Sequence, residues 1–178
     1  LYNRRHIDES PQTRENRLVC AYAFAVAEQN ASGGEIVTAP TCGASGVMPA
    51  ALLYMQEERG FSDEAIVRAL AAGGVIGNLI KTNASISGAE CGCQAEIGTA
   101  SAMAAGALVA LRGGTGEQIG HAVAMALKNL MGLICDPVAG LVEVPCVKRN
   151  VIGAVNAVSV ADMAMAGITS RIPVDEVI

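Results

Sequence analysis

The sequence predicts an all-α fold, a compact helical domain of close-packed Ala/Gly-rich helices with functional interhelical loops. Three observations carry that prediction. Six segments of helix length are separated by glycine- or proline-bearing breaks. No run alternates apolar and polar residues at the period of two that a half-buried strand requires. Hydrophobic residues make up 52% of the 178 positions, but aromatics only 3%. Such a chain brings helix backbones close together instead of filling space with rings.

The elements follow in order. Residues 13–30, TRENRLVCAYAFAVAEQN, combine helix formers with charges at the start and glycines after the end. Residues 46–60 form a second helix, with Pro49 near its first turn, where a missing N–H costs least. Residues 62–81 open with Ser62 as N-cap, and Asp63 and Glu64 complement the helix dipole. Residues 93–111 form the fourth helix. Residues 115–132 begin with Thr115 and Gln118 at capping-box spacing. Residues 148–167 form the sixth. Only GEIVTAP, residues 34–40, hints at extended chain.

Composition narrows the function. The length suits a single domain spanning 1–178 with a sizeable core. Only 16% of residues are charged, which predicts further burial against another domain or subunit. A net charge of −5, no basic run and few aromatics argue against nucleic-acid binding. The longest uncharged stretch, 36–56, is broken by prolines, glycines and hydroxyls. The next, 97–111, falls short of the roughly 20 residues a membrane span needs. No signal peptide is visible, so a cytoplasmic protein is expected, its six cysteines reduced. The chain starts at Leu1 and ends in IPVDEVI, which reads like the start of another helix. A piece of a longer chain is expected.

The chemistry-bearing residues lie between the helices. In SGGEIVTAPTCGASGVMP (32–49), glycines and small hydroxyl residues run into a helix N-terminus. Free N–H groups and the positive dipole end make that a natural anion site, with Thr38, Thr41 and Ser45 as hydroxyl donors. An ordinary capped loop explains the same residues equally well. No Walker or dinucleotide pattern is present. In NASISGAECGCQAEIG (83–98), Cys91 and Cys93 would point different ways on a helix. Cys135 and Cys146 flank CDPVAGLVEVPC, a Pro/Gly-bearing loop that cannot be one continuous helix. Thiols at Cys93, Cys135 and Cys146 come from separate elements and suit one cluster. Their spacing lacks the close-set ferredoxin pattern, so buried core cysteines remain the competing reading.

TAPTCGASGVMPA, SGAECGCQAEIG and CDPVAGLVEVPCVKRN together resemble the iron–sulfur-dependent L-serine dehydratases, in their α domain or α subunit. The resemblance runs from about Arg14 to Thr169. It implies an all-helical catalytic domain holding a [4Fe–4S] cluster, with the ligand pattern falling on Cys93, Cys135 and Cys146. Cys91 is not a ligand position in that pattern, and some relatives carry another small residue there. Cys42 stands where relatives can have asparagine and reads as loop-lining. Cys20 reads as a helix core residue. Three thiolates on a four-iron cube leave one iron free to act as a Lewis acid, as an open zinc site does. The implied reaction removes a Cα proton and the β-hydroxyl of L-serine. The aminoacrylate product becomes an imine, which hydrolyses to pyruvate and ammonia.

In this reading the loop 38–46, with Thr38, Thr41, Gly43, Ser45 and Gly46, binds the substrate carboxylate. Lys81 is a second positive group, although a solvated lysine at a helix end is the commoner reading. No general base is assigned. His6 lies in a polar segment and His121 reads as structural, so the base is expected from sequence outside this chain. The resemblance also implies a β domain or β subunit and an oligomer, with neither nucleic acid nor membrane as partner. A pyridoxal phosphate enzyme is disfavoured, because no lysine sits in a recognisable Schiff-base context. The rival activities are cysteine desulfidase or hydroxy-acid dehydratase chemistry on the same cluster. A non-enzymatic electron-transfer or scaffold domain is the third reading.

Overall fold

Residues Cys93–Leu111 form the helix around which the others pack. Every residue from Ile97 to Val109 is buried. A helix apolar on all faces belongs in a core, and here Ala, Gly, Ser and Thr let neighbours approach on every side. The computed structural model describes residues 1–4, 8–141 and 143–178, with backbone alone at 143 and 144. Among them are eight helices: α1 Pro11–Ala31, α2 Val47–Arg59, α3 Asp63–Asn83, α4 Gly88–Cys91, α5 Cys93–Leu111, α6 Gly116–Leu130, α7 Glu143–Met165 and α8 Val174–Val177. Helices α2, α3, α6 and α7 surround α5, and α1 closes the bundle against α2 and α7.

Local signals place most helix ends. Ser62 accepts the Ala65 N–H, and Thr115 and Gln118 complete both halves of a capping box. Each such cap satisfies donors that a helix leaves open, worth about 1 kcal/mol. GEIVTAP forms no strand, and among the described residues the only extended pairing is an isolated bridge between Val138 and Leu141. Helix α7 begins at Glu143, five residues before the sequence reading placed it. Pro145 is the reason for the difference. It resembles a helix breaker, yet in a first turn its missing N–H has no partner to lose. Cys146 therefore sits inside α7.

Helix α3 is long and apolar enough, by length and composition, to cross a membrane. Its Ala69, Gly73, Ile76, Gly77 and Ile80 are buried, and it packs against α5. Val67, Leu70, Val75 and Leu79 stay exposed, so α3 carries an apolar face outward as well.

Two substitutions test how tightly the bundle closes. A Cβ on Gly46 would lie 2.7 Å from the Ala23 carbonyl oxygen of α1, whereas one on Gly74 would meet nothing within 4 Å. Backbone cannot yield as a flexible side chain can. Gly46→Ala should lose about 1–3 kcal/mol of stability in chemical denaturation. Gly74→Ala should be neutral or gain up to about 1 kcal/mol from helix propensity. Equal midpoints for the two variants would contradict this packing.

Candidate metal centre

Cys93 is the first residue of α5 and is fully buried, while Cys146 lies in the first turn of α7. Their sulfurs and a carboxylate oxygen of Glu96 lie within 4.8 Å of one another. Glu96 follows Cys93 by three residues, which brings both to one helix face. Cys135 comes from the loop between α6 and α7. It lies near enough to both other thiols to raise them, but outside the group that meets within 4.8 Å. Soft thiolates in such a group suit zinc or an iron–sulfur group better than calcium or magnesium.

Glycine positions the loop of Cys135. Gly92 has φ +79°, a conformation that favours glycine, and a Cβ there would lie 3.0 Å from the Leu133 carbonyl oxygen. That close approach lets the Gln94 N–H donate to Leu133 O at 2.8 Å, while Gly132 N–H donates to the Gln94 side chain at 2.8 Å. The loop is thereby strapped to the start of α5. Cys91, at the end of α4, is exposed and lines a separate cavity of about 320 Å³ with Thr99 and Met131. Cys20 is half-buried in α1, and Cys42 is exposed.

The loop 38–46 meets the same centre. Thr41 donates its hydroxyl proton to Glu96, and Gly43 lies against the Glu96 carboxylate, where a Cβ would be 2.5 Å from an oxygen. Asn150 of α7 is 1% exposed. Its Nδ2 donates to Gly43 O at 2.7 Å and Cys146 O at 2.8 Å, and its Oδ1 accepts the Gly46 N–H at 2.8 Å. The N–H groups of Thr41, Cys42 and Gly43 make no hydrogen bond within the described residues. Ser45 Oγ is buried and has no partner among the described residues, a state that costs about 1–3 kcal/mol. Thr38 is exposed, as is Lys81 at the end of α3. His121 accepts the Ser170 N–H at 3.3 Å and joins α6 to the segment before α8. His6 lies outside the described residues.

Opposing electrostatic effects meet here. Cys93 and Cys146 stand in the first turns of α5 and α7, and each helix start carries a partial positive charge. The Arg149 Nη1 donates to Cys93 Sγ at 3.4 Å. Arg149 also pairs with Asp136, whose carboxyl that hydrogen bond holds below its ordinary range. Burial pushes the Cys93 thiol up, partly offset by Arg149. Burial, then the neighbouring Cys93, Glu96 and Cys135, pushes Cys146 up to about 11.

Sequence reasoning missed Glu96, Arg149 and Asn150. Their signal is spacing: Glu96 is three residues beyond Cys93, and Arg149 and Asn150 are three and four beyond Cys146. The metal-free protein should show this environment in timed alkylation read by mass spectrometry. Near pH 8, exposed Cys42 and Cys91 should react first. Cys146 should react slowly, accelerating only as the pH nears 11. Modification of Cys146 as fast as Cys42 at pH 8 would contradict the geometry.

Known proteins resemble this chain over nearly its whole length. The family model for the serine dehydratase alpha chain matches residues 3–178. A probable L-serine dehydratase alpha chain of Bacillus subtilis (strain 168) is 56% identical over 156 residues, covering 88% of this chain and 52% of that protein. An L-serine dehydratase of Streptomyces coelicolor is 50% identical over 170 residues, covering 94% of this chain and 37% of that protein. A probable L-serine dehydratase alpha chain of Latilactobacillus sakei is 53% identical over 156 residues, covering 88% and 75%. The chain thus spans about half the length of the first relative and over a third of the second. With a match across nearly its whole length, the chain belongs to the serine dehydratase alpha chain family.

Proposed function

We propose that this chain is the catalytic domain, or part of one, of an L-serine dehydratase that converts L-serine to pyruvate and ammonia in the cytoplasm. The observation that carries the reading is the meeting of Cys93, Cys146 and Glu96, with Cys135 nearby, against the loop that carries Thr41. Cys93, Cys135 and Cys146 would hold a [4Fe–4S] cluster by three thiolates. Bound there, the cluster supplies Lewis acidity, at the iron without a thiolate, that eases departure of the β-hydroxyl.

The chain's own residues bind and orient. The free N–H groups of Thr41, Cys42 and Gly43 and the unpartnered Ser45 hydroxyl offer donors for the substrate carboxylate. Thr41 fixes the loop against Glu96, and Gly46 fixes it against Asn150. Thr38 stands at the exposed start of the loop. Among the described residues no ion pair holds Lys81, so its ammonium is available as a second positive group. Two findings support a further domain or subunit: the outward apolar face of α3 and the greater length of the relatives. We assign to that β part the base that takes the Cα proton, and we expect the enzyme to be oligomeric. Loss of hydroxide instead of sulfide distinguishes the reading from desulfidase chemistry, and release of the α-amino group as ammonia distinguishes it from hydroxy-acid dehydration.

The test uses the full-length protein, reconstituted anaerobically with ferrous iron and sulfide. L-Serine should release ammonia and pyruvate in equal amounts, faster than L-threonine or L-cysteine reacts. Cys93→Ser, Cys135→Ser and Cys146→Ser should each lose stable iron binding and turnover, while Cys20→Ser and Cys91→Ser keep both. Equal iron loss in all five variants would remove the ligand assignment.

A further inference from the structure

Arg149 makes two contacts through one nitrogen. Its Nη1 donates to Cys93 Sγ at 3.4 Å and pairs with Asp136, the neighbour of Cys135 in the chain. Arg149 itself stands three residues after Cys146 on α7. One guanidinium therefore touches the α5 cysteine and the loop of the second cysteine, from the helix of the third. Its side chain is 16% exposed, whereas that of Asp136 is 47% exposed. The contact with sulfur is thus the better shielded of the two. The carboxylate that Arg149 pairs with is the chain's own, which leaves the substrate carboxylate to the loop 38–46.

Resting on the reading that the three thiolates hold an iron–sulfur group, we propose that Arg149 is a positioning residue for that group. It donates a hydrogen bond to the Cys93 sulfur and holds the Cys135 loop through Asp136. A donor and a positive charge at a ligand sulfur drain charge from it and stabilise the more reduced, more negative form of the group. Asp136 opposes this by adding a negative charge beside the same guanidinium. The two residues therefore act with opposite sign, which a merely structural pair would not do.

The experiment measures the midpoint potential of the one-electron couple, by titration with a chemical reductant followed by electron paramagnetic resonance. The full-length protein is reconstituted with ferrous iron and sulfide as wild type, Arg149→Gln, Arg149→Lys and Asp136→Asn, with helical content checked by circular dichroism. Arg149→Gln should lower the redox equilibrium constant at least tenfold, about 59 mV for one electron. Arg149→Lys should keep most of the wild-type value, and Asp136→Asn should shift it upward. If Arg149→Gln takes up no iron, the two remaining variants carry the sign. A wild-type potential in Arg149→Gln overturns the proposal, as does a downward shift in Asp136→Asn. A wild type that takes up no iron and sulfide overturns the underlying reading and this inference with it. A wild type that loads normally, with potentials unmoved in the variants, overturns the inference alone.

Discussion

The side-chain amide of Asn150 is the interaction on which the centre depends. It is buried, and it satisfies three backbone groups at once: the Gly46 N–H, the Gly43 carbonyl and the Cys146 carbonyl. In a low-dielectric interior each of those bonds is stronger than in water, and each is costly to leave unmade. Asn150 thereby fixes the distance between the start of α7, which carries Cys146, and the loop 38–46 that turns into α2. Gly46 can come near only because it lacks a Cβ, since Ala23 O stands 2.7 Å from where one would be. Gly43 then lies against Glu96, and Glu96 beside Cys93. A single amide sets the frame that joins α1, α2, α5 and α7.

The electrostatics of that frame favour a cation bound by thiolates. Cys93, Cys146 and Glu96 crowd within 4.8 Å, so ionising them together without a cation is unfavourable. Burial adds to the cost, as the raised Cys146 shows. Arg149 and the N-termini of α5 and α7 relieve part of it. A metal group would relieve the rest, releasing thiol protons as it binds. The loop of Cys135 depends on only a few backbone bonds to α5. Metal binding would therefore stabilise this side of the fold more than the core around α5.

The helices were legible in the sequence because their signals are local. Composition marks α5 as a buried helix, and Ser62 and Thr115 mark two starts. The start of α7 was not, because Pro145 reads as a break unless its place within the first turn is known. Separate elements offered Cys93, Cys135 and Cys146 as one cluster, but only the family resemblance set that reading above buried core cysteines. What holds them was less visible. Thr41 and Glu96 are far apart in the chain, and so are Gly46 and Asn150, so no window of sequence pairs them. The strap from Leu133 to Gln94 uses a carbonyl, which every residue carries. Only the three- and four-residue offsets from Cys93 and Cys146 pointed to Glu96, Arg149 and Asn150.

The central claim is that three cysteines from α5, α7 and the loop between α6 and α7 hold an iron–sulfur group with one iron open to substrate. Mössbauer spectroscopy of the anaerobically reconstituted full-length protein, with and without L-serine, tests it most directly. The account predicts four irons, of which one changes its signal when L-serine is added while the other three stay fixed. Four irons that are all indifferent to L-serine would contradict it.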